Sequence, residues 1–257
     1  MHMRRKKWAR PELSVCPFYT IGGEEYRGHW RERFPEPERP LHLEMGCGKG
    51  VSTALMAADN PGINYVAVDI SADVLGDARR NIVRECGEDV SNVQLVLKDI
   101  CFFDRIFAGD ERVERIYISF CNPWTEKPKQ EKRRLTHPRQ LIQYRQAMIP
   151  QGEIWFKTDD ETLFQDSRAY FDLCGFEEVY MTEDLHGAGF KPNYISEHER
   201  KFIDMGIPIK FGIYRMTPRE AGFDPLRFRL TPGVRRRTLE NMDGRREDKR
   251  AGSAAEE

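Results

Sequence analysis

The sequence predicts an α/β fold, a doubly wound and mainly parallel sheet, and three observations carry that prediction. Short apolar runs alternate with stretches of helical period from residue 41 onward. The first run ends in three alternating glycines, Gly46-Cys47-Gly48-Lys49-Gly50. The first three runs end in or beside carboxylates, at Glu44, Asp69 and Asp99. Open sheets of this kind bind ligands outside the carboxyl ends of their strands.

In order, residues 41 to 45 read as a buried strand, the glycines as a turn, and residues 50 to 58 as a helix. Glycine at alternate positions permits positive φ and lets a ligand approach the backbone without Cβ atoms in the way. A nucleotide-like ligand is therefore expected there. A second strand, 64 to 69, ends in Asp69, where such sheets place the acid that accepts hydrogen bonds from a ribose. The helix over 71 to 86 carries Leu75, Ala78, Arg79 and Ile82 at helical spacing behind Ser71 as N-cap. Strands follow at 93 to 97, 113 to 120 and 152 to 157, and segments 177 to 181 and 208 to 215 are expected to close the sheet as a hairpin-like edge pair. Each terminal acid has an ordinary alternative role as a helix cap; a shared crevice explains the set better.

The flanks differ in character. Residues 1 to 40 read as a basic N-terminal arm, with Arg4, Arg5, Lys6, Lys7 and Arg10 around Trp8, and a proline-rich lead-in at 34 to 40. The arm is either a solvated tail or a segment that lies along phosphates with its indole stacked. Residues 41 to 216 form the main domain. Residues 217 to 257 are an extension, charged and poor in apolar side chains, expected to be disordered from about residue 231.

A chain of 257 residues with formal net charge -1 has no global basicity, so contact with nucleic acid must come from local clusters. The six cysteines show no Cys-x-x-Cys pair, which argues against zinc and a disulfide framework and for a reducing, cytoplasmic setting. No window reaches the roughly 20 apolar residues of a membrane span.

The most distinctive residues leave the fourth strand: Asn122-Pro123-Trp124, then a loop with Lys127, Lys129, Lys132, Arg133, Arg134 and Arg139. An amide followed by Pro-Trp makes a rigid, flat-walled corner that can hold a planar base by its edge; the alternative is a turn with a core tryptophan. The basic loop borders that corner, so phosphate contact is the economical reading.

With these residues in view, the chain resembles the bacterial tRNA (guanine-N7)-methyltransferases over roughly residues 4 to 216. The resemblance is carried by the basic Trp arm, Glu44 to Gly50, Pro123-Trp124, Lys132-Arg133-Arg134, Phe156-Lys157-Thr158-Asp159 and Ser196-Glu197-His198-Glu199. It implies a Rossmann-like methyltransferase sheet with an antiparallel edge strand, S-adenosylmethionine as cofactor, and methylation of a guanine in the tRNA variable loop. It implies further that Glu44, Gly46, Gly48, Gly50, Asp69, Asp99 and Asn122 surround the cofactor, with Asn122 and Asp159 catalytic. Lys127, Asp159, Ser196, Glu197 and Glu199 would receive the guanine nucleotide, and Arg4, Arg5, Lys6, Lys7, Lys132, Arg133 and Arg134 the RNA backbone. No metal is expected, because the acids have a cationic cofactor to face.

Two departures stand out. Asn122 occupies a position where the family usually has aspartate, and the segment after Trp124 departs from the family's usual Trp-Pro-Lys-Lys-Arg-His. Guanine N7 carries an in-plane lone pair at neutral pH, so transfer needs alignment and desolvation more than a base. An amide in place of the carboxylate is then expected to cost about 1 to 2 kcal/mol, roughly tenfold in rate. Asp159 and Glu197 are candidates to grip the guanine edge by accepting from N1-H and N2-H, with helix capping as their alternative role. The competing functions are a non-catalytic paralogue that binds cofactor and RNA, and a small-molecule methyltransferase; a nicotinamide dehydrogenase fits less well. Monomer and homodimer are both open.

Overall fold

The computed structural model describes residues 5–125, 127–224 and 227–254 of the chain. Its strands are β1 Tyr19–Ile21, β2 Leu41–Met45, β3 Asn64–Asp69, β4 Val93–Leu97, β5 Val113–Ser119, β6 Met148–Thr158, β7 Phe176–Thr182 and β8 Lys210–Met216. Its helices are α1 Ala9–Ser14, α2 Val51–Asp59, α3 Ala72–Cys86, α4 Phe103–Ile106, α5 Pro138–Ala147, α6 Glu161–Leu173, α7 Glu197–Asp204 and α8 Pro232–Ala254. The strands form one eight-stranded sheet in the order β1-β4-β3-β2-β5-β6-β8-β7. From β1 to β6 all neighbours pair in parallel, whereas β8 is antiparallel to both β6 and β7.

The central strands read as near-continuous apolar runs because helices cover both faces of a parallel sheet. Pleat alternation sorts their side chains. Leu41, Leu43 and Met45 join Val66, Val68, Ile116, Ile118, Ile154 and Phe156 in one core cluster. Tyr65, Ala67 and Leu95 join Ala54, Met56, Leu75, Ala78 and Ile82 on the other face, under α2 and α3. The chain leaves β2 for β3 and β4 on one side and returns to β5 and β6 on the other, so the topological switch lies between β2 and β5. Crevices for ligands open at that point.

Two features differ from what the sequence predicts. The N-terminal 40 residues are not merely an arm: β1 extends the sheet beside β4, α1 packs on α3, and Trp30 is fully buried with its Nε1 donating to the Ile106 carbonyl at 2.6 Å. A three-residue strand is too short for periodicity to reveal. The last two strands pair at the edge of the sheet as expected, with β8 between β6 and β7 and antiparallel to both. The tail expected to be disordered from about residue 231 contains α8, which lies against α6. Arg168 reaches Asp243 at 3.0 Å, Arg245 reaches Asp172 at 2.6 Å, and Thr238 and Met242 are buried. The tail's high charge suggests solvation because composition cannot show that the charges have partners on another helix.

Candidate active site

The glycine turn is a cradle. Gly46, Gly48 and Gly50 adopt φ of 80°, 55° and 62°, the left-handed region that side chains disfavour. At Gly50 the reason is also packing, since a Cβ there would stand 2.7 Å from Ala78 Cβ on α3. At Gly48 a Cβ would meet nothing within 4 Å, and at Gly46 only Leu135 Cδ1 at 4.0 Å, so open space lies in front of the turn. Asp69 sits at its rim, one oxygen accepting from Gly48 N at 3.0 Å and the other from Ser71 N at 2.9 Å. Burial pushes the Asp69 carboxyl upward, against those backbone bonds. Ser71 holds the N-cap position of α3 without a side-chain cap bond.

Glu44 lies beneath the turn, only 4% exposed, on the sheet face that α2 covers. Its carboxylate accepts from the Thr53 hydroxyl of α2. Burial pushes its pKa up to about 7, with Thr53 and the ammonium of Lys157 pulling the other way. Pairing sets Glu44 against Tyr117, Tyr117 against Trp155, and Ser119 against Lys157. These side chains, with Pro192 and Tyr194, line one cleft with Glu44. Asp99, at the end of β4, caps the following turn by accepting from Cys101 N at 2.9 Å.

Across the switch point, β5 ends under strain: Phe120 has φ 53° and Trp124 φ 48°, conformations that persist only where surroundings impose them. Asn122 is exposed, and its amide oxygen accepts from Trp124 N at 3.0 Å. The corner is locked from behind by Arg134, whose Nε donates to the Pro123 carbonyl at 2.7 Å and whose Nη1 pairs with Asp166 at 2.8 Å. Arg134 is 1% exposed. That departs from its expected place among the exposed RNA-facing charges: the guanidinium is sealed in the core and holds the corner. Lys127, Lys132 and Arg133 are exposed, with the Arg133 guanidinium 5.0 Å from the Trp124 ring centroid.

Asp159 follows the end of β6, the strand beside β5. Capping of α6 falls to its neighbour Asp160, which accepts from Leu163 N at 2.6 Å. That removes the capping role considered for Asp159, whose negative charge bears on Cys121, next to Asn122. Ser196 does cap α7, accepting from Glu199 N at 3.1 Å. Glu197 pairs with Lys49 of the glycine turn at 2.6 Å and with Lys201 at 3.3 Å, and the Lys49 bond holds its carboxyl below the usual range. Glu199 is turned fully inward. It accepts from Lys157 Nζ at 3.1 Å and Asn193 Nδ2 at 2.8 Å, so it is linked to the cleft through Lys157 rather than by lining it.

The N-terminal arm is also partly committed. Trp8 lies under the Arg80 guanidinium, 3.4 Å from the ring centroid, and Lys6 pairs with Asp77, so neither is free for a base or phosphate. Arg5 and Lys7 are exposed, and Arg4 lies outside the described residues. Lys157, Thr53, Trp155 and Tyr194 are the site residues that sequence reasoning passed over. Lys157 alone left a signal, a lysine directly after the consecutive apolar run Ile154-Trp155-Phe156. Among the described residues, no group of three or more His, Cys, Asp or Glu side chains is placed to hold a metal, and no helix is long and apolar enough to cross a membrane.

A parallel sheet with a glycine cradle, a rim acid and a buried acid at the switch point defines the Rossmann-like methyltransferase class. A solved structure described as an antibiotic-related methyltransferase shares the fold, with a TM-score of 0.51 at 15% identity over 84% of this chain and 96% of that one. Residues 38–211 match the family model described as "Putative methyltransferase". The chain belongs to the tRNA (guanine-N7-)-methyltransferase family. It is 48% identical to the enzyme of that name from Clostridium perfringens (strain SM101 / Type A), over 82% of this chain and 97% of the relative. Identity is 49% to the one from Clostridium botulinum (strain Eklund 17B / Type B) over 82% and 97%, and 47% to the one from Acetivibrio thermocellus over the same shares.

Proposed function

We propose that this chain methylates N7 of a guanine in the variable loop of tRNA, with S-adenosylmethionine as methyl donor, in the cytoplasm. The observation that carries the reading is the pairing of a glycine cradle facing open space with two desolvated carboxylates, Glu44 and Asp69, in a chain of this family. The six unpaired cysteines fit a reducing compartment.

When bound, the cofactor supplies an electrophilic methyl group on a positively charged sulfur. The residues that would hold it are Glu44, Gly46, Gly48, Gly50, Asp69 and Asp99, with Asn122 at the far side. A buried carboxyl with a raised pKa suits a cationic ligand, because a nearby positive charge restores its ionised form. The rim acid Asp69 keeps lone pairs free beside its two backbone bonds and can accept from hydroxyls. The protein need not remove a proton from N7, so its tasks are holding, aligning and excluding water. Asp159 accepts from the donor edge of guanine, with Asn122 turning its amide toward the same base. Arg134 fixes Pro123, and Lys157, held by Glu199, sets the floor. Lys132 and Arg133 meet phosphates.

The test is methyl transfer from labelled cofactor to unmodified tRNA, with nucleosides identified by mass spectrometry. N7-methylguanosine is the expected product. Asp159→Ala should raise the KM for tRNA or abolish turnover while leaving cofactor binding and the melting temperature unchanged. A protein that binds cofactor but modifies no tRNA would overturn the assignment.

A further inference from the structure

Between residues 227 and 239 the C-terminal extension carries five arginines, Arg227, Arg229, Arg235, Arg236 and Arg237, and no acid. The stretch lies outside the 38–211 span that matches the family model. It is pinned beside the basic loop that follows Trp124. Asp166 of α6 receives Arg134 on one oxygen at 2.8 Å and Arg235 of α8 on the other at 3.2 Å, so the two basic segments converge on one carboxylate. Phe228 packs against Tyr170 at 6.2 Å between ring centroids, and Tyr170 packs against His137 at 5.6 Å, at the end of that loop.

Arg235 is consumed by this anchoring, but its neighbours face outward. Arg236 is 77% exposed and pairs at 3.8 Å with Glu240, its one ion-pair partner among the described residues. Arg227 is 90% exposed beside Asp224 at 3.5 Å. Arg229 and Arg237 are exposed, and no ion pair is found for either among the described residues. The basic loop offers Lys132 and Arg133, also exposed and adjacent in sequence to Arg134, which shares that carboxylate. A run of like charges gathered at one place is held against its own repulsion, an arrangement that polyanion binding relieves.

We propose that residues 227 to 237 form a second wall of the RNA platform, with Arg229, Arg236 and Arg237 contacting tRNA phosphates alongside Lys132 and Arg133. This rests on tRNA being the substrate. It assigns the extension to binding and not to chemistry, since Arg235 meets Asp166 on the oxygen other than the one that holds Arg134 behind the Pro123 carbonyl.

The experiment measures tRNA affinity against salt concentration for the full chain and for the triple variant Arg229→Ala, Arg236→Ala, Arg237→Ala. Removing one arginine–phosphate pair should flatten the slope of log K against log salt by about 1, so the triple variant should be flatter by about 2 to 3 and bind several-fold more weakly at moderate salt. Its melting temperature, cofactor affinity and kcat at saturating tRNA should match the parent. A triple lysine variant should keep the parental slope. A triple alanine variant with the parental slope and affinity, still methylating tRNA, would overturn the proposal and leave the enzymatic reading intact; a parent that binds no tRNA would overturn both.

Discussion

The two halves of the crevice are built by different means. On the β2–β4 side polar groups are satisfied close by in sequence: Asp69 by Ser71 two residues away and Gly48 at 21, Glu44 by Thr53 at nine, Asp99 by Cys101 at two. On the β5–β6 side the partners are distant: Arg134 and Asp166 are 32 apart, Lys157 and Glu199 are 42 apart. The first half is made of backbone conformation and local caps, the second of buried ion pairs. Damage to the first should weaken one ligand, whereas damage to the second should loosen the fold and the catalytic corner together.

Asp166→Ala is the strongest test, because it leaves the sealed Arg134 without its counter-charge. Chemical denaturation should show a loss of about 3 to 5 kcal/mol. Replacing both partners, Arg134→Met with Asp166→Leu, should recover most of that stability. It should not recover methyl transfer, since the Pro123 carbonyl stays unheld. Equal recovery of both would show the pair to be structural only.

Glu44 tests the other half through pH. Its folded pKa of about 7 lies above the usual 4.5, so its contribution is fully present below pH 4.5 and is lost as pH rises through 7. Glu44→Gln should match the parent near pH 4.5 and exceed it by up to about 3 kcal/mol at pH 8 in urea titrations. The variant should also lose cofactor affinity, most clearly at the higher pH, where the parent carboxylate is charged. Calorimetric titration with S-adenosylmethionine checks this.

The glycines separate strain from ligand space within one turn. Gly50→Ala combines positive φ with a clash against Ala78 and should cost about 2 to 3 kcal/mol of stability. Gly48→Ala adds a methyl group where nothing stands within 4 Å, costing about 1 kcal/mol of stability while weakening cofactor binding about tenfold. The smallest effect is expected at the corner. Asn122→Asp should raise the single-turnover methylation rate about tenfold, by supplying a charge-assisted hydrogen bond with a second acceptor. An unchanged rate would place Asn122 outside the chemistry.

Legibility in the sequence follows the same division. The Gly46–Gly50 turn and the acids at Glu44 and Asp69 announce themselves because period, φ preference and chain order suffice to bring them to one end of the sheet. Arg134 does not: beside Lys132 and Arg133 it looks like one more surface charge, and only packing against α6 turns it inward. Glu199 and Glu197 are alike on paper, yet one is sealed against Lys157 and the other is half-buried against Lys49. Asp159 and Asp160 are adjacent acids, and the α6 N-terminus takes the second.

By itself the sequence determined the strand and helix alternation, the doubly wound sheet and the cradle at its switch point, because periodicity and glycine conformation are local properties. Tertiary structure alone decided which charges work inward and which outward, whether the first 40 residues join the sheet, and that the charged tail is a helix. A side chain's charge is written in the sequence, but whether it is hydrated or paired depends on what another segment brings against it.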